Sequence, residues 1–143
     1  VIKLVVVAHG HFATGAASAL ELIVGKQENV AVIDFSEGMS AQTVKEKIAV
    51  ELVDQSEVLV LSDLLGGTPF KVSTELMTAF NGKMNVLSGL NLAMLIEAVF
   101  AREMLSFDDL VDKLVNTAKE GVVNAQALFA VEDQEDDAFE GGI

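Results

Sequence analysis

The chain has 143 residues, is 51% hydrophobic and contains no cysteine. That is enough to bury the core of one domain, and it excludes disulfides, thiolate nucleophiles and cysteine metal sites. Nine basic residues against 22 acidic ones give a formal net charge of -13, which argues against nucleic acid and anionic membrane surfaces and favours a basic protein partner.

The apolar start, Val1 to Ala8, holds only Lys3 and is too short for a membrane span or a leader. Lys3 to Ala8 is a continuous β-branched run, the pattern of a central parallel strand covered on both faces. Ala16, Leu20, Ile23 and Val24 then fall at helical spacing, and Gly25 ends that helix because glycine enters the left-handed region without strain. Val30 to Phe35 predicts a second strand. Ser40 is placed to cap a second helix with the stripe Val44, Ile48 and Leu52. Val58 to Leu61 reads as a third strand, and Thr68-Pro69 opens a third helix with Val72, Leu76 and Phe80 on its buried face. Met84 to Leu87 gives a weaker fourth strand. Asn91 caps a fourth helix, and Ser106 with Asp109 resembles a capping box for a fifth carrying Leu110, Leu114 and Ala118.

The stretch Val122 to Val131 fits either a helical extension or a last strand. From Glu132 onward the acids Glu132, Asp133, Glu135, Asp136, Asp137 and Glu140 stand without a base, which reads as a solvated, flexible tail over 132–143 behind one domain over 1–131. Strands alternating with helices make βαβ units, so the expected fold is a three-layer α/β/α domain around a mostly parallel sheet of four strands. Neither an interdomain linker nor an internal repeat is evident.

In such sheets ligands bind beyond the carboxyl ends of the strands. Two loops fall there: Ala8-His9-Gly10-His11-Phe12 and Ser62-Asp63-Leu64-Leu65-Gly66-Gly67-Thr68-Pro69. If the first and third strands are neighbours, His9 and Asp63 meet. A neutral imidazole nitrogen is a competent nucleophile near neutral pH, and a carboxylate on its other nitrogen fixes the tautomer. Gly66 and Gly67 let the backbone approach closely, and Thr68 with the amides of a helix N-terminus can receive phosphoryl oxygens. The pattern therefore favours phosphoryl chemistry with His9, Asp63 and Thr68 as the reacting set. Each part also has a plain structural reading: a satisfied histidine, an Asx turn, an ordinary strand-to-helix turn. The glycine run lacks P-loop spacing and its lysine. Ser62 beside Asp63 leaves hydrolysis as a weak rival. His11 reads as a rim residue. Two positions from His9 it suggests a metal pair, but no third ligand is evident, so neither a metal nor a cofactor is expected.

Val5-Val6-Val7-Ala8-His9-Gly10 and Asp63-Leu64-Leu65-Gly66-Gly67-Thr68-Pro69-Phe70, taken with Glu28-Asn29-Val30, Ile33-Asp34-Phe35, Gly89-Leu90-Asn91-Leu92-Ala93-Met94-Leu95 and Ser106-Phe107-Asp108-Asp109-Leu110, occur in the order found in one family and span residue 1 to about 128. The chain resembles the IIA domain of the mannose family of the bacterial phosphoenolpyruvate-dependent sugar phosphotransferase system. The resemblance implies a phosphotransferase with a covalent phosphohistidine intermediate. His9 would accept phosphate on Nε2 from the carrier protein HPr and pass it to a separate IIB component, and through that to membrane IIC and IID components. Asp63 would hold Nδ1. Thr68 stands where some members have serine, and Leu65 where some have an aromatic. The resemblance further implies a cytoplasmic homodimer joined by exchange of a C-terminal edge strand, for which Val122 to Val131 is the candidate. Two rivals stay open. One is a related domain that phosphorylates a dihydroxyacetone kinase, which tends to carry His-Ser where this chain has His9-Gly10. The other is a regulatory module of the same fold that does not turn over phosphate.

Overall fold

Alternation inside the first strand decides the layers. Leu4, Val6 and Ala8 pack into one apolar cluster and Val5 and Val7 into another, and all five are fully buried. A strand buried on both faces needs helices on both sides of its sheet. The computed structural model describes residues 1–135 and shows that arrangement. Strands β1 (Lys3–His9), β2 (Val30–Phe35), β3 (Glu57–Ser62) and β4 (Lys83–Leu87) are all parallel and lie in the order β2-β1-β3-β4. On one face Leu4, Val6, Leu59 and Leu61 pack against α1 (Phe12–Val24), α4 (Leu92–Ala101) and α5 (Phe107–Glu120). On the other, Val5, Val7, Val58 and Val60 pack against α2 (Ala41–Leu52) and α3 (Thr68–Ala79). The three-layer α/β/α domain expected from the sequence is the fold observed.

The expected caps form. Ser40, Asn91 and Ser106 accept hydrogen bonds from the amides of Thr43, Met94 and Asp109. Gly25 closes α1 at φ +83°. A residue the sequence did not single out anchors the opposite end of the sheet. Arg102, buried at the end of α4, donates to the carbonyls of Ile2 and Asn29 at 3.0 Å and of Glu28 at 2.6 Å.

The chain's C-terminal part departs from expectation. No strand forms over Val122 to Val131: Ala125–Glu135 is a helix, α6. The segment is rich in alanine, and Asn124 caps it by accepting from the Ala127 amide. An exchanged strand draws its backbone partners from a second copy, whereas within one chain these residues satisfy themselves along the helix. Of the acidic tail expected over 132–143, residues 136–143 lie outside the described residues, and 132–135 complete α6.

Candidate functional site

The strand order places a topological switch at β1. The chain leaves β1 for β2 on one side and returns to β3 on the other, so the ends of β1 and β3 diverge into a crevice. His9 closes β1, and Asp63 follows β3 directly. The structure joins them as the spacing required. The Asp63 Oδ2 accepts from the His9 amide at 3.0 Å and lies 2.9 Å from the His9 Nδ1. A carboxylate only accepts, so Nδ1 carries a hydrogen, and in the neutral ring Nε2 keeps a free lone pair.

Burial pushes the Asp63 carboxyl up, but hydrogen bonds from the His9 amide and ring outweigh it and hold the group below its ordinary value. The Asp63 Oδ1 is buried without a partner. Asp63 is mostly enclosed, at 15% side-chain exposure, while the His9 ring is open, at 41%. Phe35 meets that ring edge to face, with centroids 5.6 Å apart.

Gly67 also bounds the ring. Gly66 sits at φ +78°, a conformation that glycine alone adopts freely. Gly67 precedes α3 and lies flat against His9. A Cβ there would stand 2.7 Å from the ring Cε1 and 3.3 Å from Nε2. The Gly67 amide donates to the Leu64 carbonyl, so what this residue gives the site is space. Thr68 adjoins it as the first residue of α3, followed by Pro69, and no side chain caps that helix. Nε2 of His9 thus lies close to Gly67 at an uncapped helix N-terminus, a place that attracts anions.

Ser62 takes no part. It is fully buried, and its hydroxyl donates to the Leu87 carbonyl at 2.8 Å, which removes the hydrolytic rival. His9 and His11 do not converge on a shared ligand position either. His11 turns to the opposite neighbour, with Nδ1 3.1 Å from the Asp34 Oδ2 at the end of β2. Asp34 also accepts from the Thr14 amide at 3.1 Å and hydroxyl at 2.8 Å. Burial pushes its carboxyl up, and the hydrogen bonds from His11 and Thr14 hold it down overall. Sequence reasoning gave Asp34 no role. The available signal was its position, an acid next to the end of an apolar strand run, much as Asp63 is.

Around the site Phe12, Leu64 and Leu65 stand exposed, an apolar rim beside a polar centre.

A family model described as the PTS system fructose IIA component matches residues 3–115. The chain is 38% identical over 125 residues to the PTS system mannose-specific EIIAB component of Escherichia coli (strain K12), a match covering 85% of this chain. It spans only 38% of that relative's length. It is 30% identical over 137 residues to the PTS system sorbose-specific EIIA component of Lacticaseibacillus casei, covering 94% of this chain and 99% of that one. Among solved structures, the phosphotransferase system component EIIA from Streptococcus agalactiae superposes with a TM-score of 0.86 at 50% identity, covering 89% of this chain and 99% of that one.

Proposed function

Because the chain belongs to the fructose and mannose IIA family of the sugar phosphotransferase system, we propose that it carries a phosphoryl group on His9, taken from phospho-HPr and given to a IIB component. The observation that carries this reading is the ring geometry. Asp63 holds Nδ1 at 2.9 Å while Nε2 lies over Gly67 at the uncapped start of α3.

The steps follow from that geometry. His9 Nε2 attacks phosphorus in line as the bond to the donor's imidazole breaks. The His9 ring becomes cationic, and the Asp63 carboxylate, already against Nδ1–H, offsets the new charge. The Thr68 hydroxyl and amide meet the phosphoryl oxygens, whose negative charge the helix end favours. Transfer to IIB runs the same steps in reverse, with the IIB side chain as acceptor. Protein donors and acceptors must seat closely, and the exposed Phe12, Leu64 and Leu65 offer an apolar contact surface around His9.

The chain works as a homodimer in the cytoplasm, coupled through IIB to membrane IIC and IID components. Among the described residues no helix is long and apolar enough to cross a membrane. The dimer is supported by the open edge of β4, where a cleft of about 490 Å³ lined by Val86, Met94 and Val115 lies beside Val122. Val122, Val123, Phe129 and Val131 of the following segment are exposed.

Incubation with phosphoenolpyruvate, Enzyme I and HPr tests the reading. Acid-labile phosphate appearing on the chain and discharging on addition of IIB supports it. No label on the folded protein overturns it.

A further inference from the structure

The His11 cluster repeats the parts of the His9 site on the other side of β1. His9 turns toward β3 and finds Asp63 there, and His11 turns toward β2 and finds Asp34. In both pairs a carboxylate oxygen lies against Nδ1, at 2.9 and 3.1 Å, so in the neutral form of both rings the hydrogen sits on Nδ1 and Nε2 is the free nitrogen. In both the carboxylate also takes a backbone amide, from His9 and from Thr14. Each ring stands beside a helix N-terminus without an acidic side chain in the first turn, α3 for His9 and α1 for His11. The His11 side chain is the more open of the two, at 86% exposure. A pair that served only to tie α1 to β2 could use Thr14 and Asp34 alone, since that bond is already made twice.

We propose that His11 is a second phosphoryl acceptor, a slower one, using Asp34 as its orienting carboxylate. This rests on the phosphocarrier reading of His9. In the step, His11 Nε2 supplies the electron pair of a new N–P bond. The bond between phosphorus and the donor's imidazole breaks, and its pair returns to the donor ring. The hydrogen on His11 Nδ1 stays against Asp34, so no proton leaves, and the cationic ring formed lies beside a carboxylate. His11 is slower because its ring is held only at Nδ1 and is otherwise open, whereas Gly67 packs on the His9 ring. Its phosphoryl group also stands in water, so it is lost faster by hydrolysis.

The test uses the whole chain with labelled phosphoenolpyruvate, Enzyme I and HPr, and compares wild type, His9→Ala, His9→Gln and the double variant His9→Ala/His11→Ala. Circular dichroism and melting first establish which His9 variant keeps the wild-type fold, and that one is used. The expected result is acid-labile phosphate on the His9 variant, mapped to His11 by fragmentation of the peptide carrying both positions. It should form about 10²-fold more slowly than on wild type, the loss typical of one preorganised donor at the phosphoryl group. It should fall further with Asp34→Asn and vanish in the double variant. Wild type that labels while the folded His9 variant stays unlabelled, or labels elsewhere than His11, overturns this inference alone. Wild type that never labels overturns the phosphocarrier reading and this inference with it.

Discussion

At the scale of single residues, the proposed roles of Asp63 as an orienting group and of Gly67 as a spacer separate experimentally. Asp63→Asn keeps size but loses the charge that selects the tautomer and stabilises the phosphorylated ring. Phosphate gain from HPr and transfer to IIB should both slow by about 10²-fold, the lower end of what such positioning supplies, with the fold retained. Rapid-quench measurement of both half-reactions checks this, and wild-type rates in both would reduce Asp63 to a turn residue. The carboxyl is held below its ordinary value in the folded chain. It therefore stabilises the fold above the unfolded value near about 3.9, and that stabilisation is lost as pH falls through the lower folded value. Urea titrations between acidic and neutral pH should show Asp63→Asn with a shallower acid limb than wild type. Gly67→Ala adds one methyl at an ordinary backbone conformation, φ -72°. The new Cβ would stand 2.7 Å from the His9 Cε1, so the ring must leave its present position. Phosphate uptake should fall by about 10²-fold, as expected for an ångström-scale misplacement, while the melting temperature changes little. Unchanged uptake would mean that the ring does not react where it now lies. His9, Asp63 and the glycine pair were legible in the sequence because each sits where a β-branched run stops. The His11–Asp34 contact was not, because it depends on β1 lying beside β2 with Ala8 opposite Asp34, a register that no local pattern displays.

At the scale of elements, strands and caps were legible for different reasons. The β-branched runs mark buried strands, and Ser40, Asn91 and Ser106 are side chains that compete for backbone amides and so settle at helix starts. Arg102 escaped notice because it ends an apolar helix run like any solvated basic residue. Its partners, Ile2, Glu28 and Asn29, lie 73 to 100 positions away. It ties α4 to the loops that enter β1 and β2, at the end of the sheet away from His9. Arg102→Ala should destabilise the chain by about 3 kcal/mol, since it removes three charge-assisted bonds from a buried guanidinium. Chemical denaturation measures that cost. The folded fraction should still take up phosphate at the wild-type rate, and a specific loss of uptake would show that the two ends of the sheet are coupled. The segment after Gly121 was legible only as an alternative between helix and strand. Its alanines favour α6 within one chain, while Val122, Val123, Phe129 and Val131 remain exposed.

At the scale of the whole molecule, that exposed apolar segment and the open edge of β4 belong together. An unpaired strand edge beside an apolar cleft invites association, and a symmetric dimer that covers both copies closes it. Sedimentation at micromolar concentration should give a dimer of the 15.2 kDa chain. A chain truncated after Val131 should still dimerise, and a clean monomer would remove the dimer from the account. A net charge of -13 would steer a basic surface on a protein partner toward this chain. On the proposed reading, His9 is where phosphate first rests. The direct measurement is a rapid-quench time course with phosphoenolpyruvate, Enzyme I and HPr, each point mapped for acid-labile phosphate by mass spectrometry. The account predicts that the earliest label lies on His9 Nε2 and that His9→Ala eliminates the fast phase. Earliest label on His11 or any other residue, with His9 bare, would contradict it.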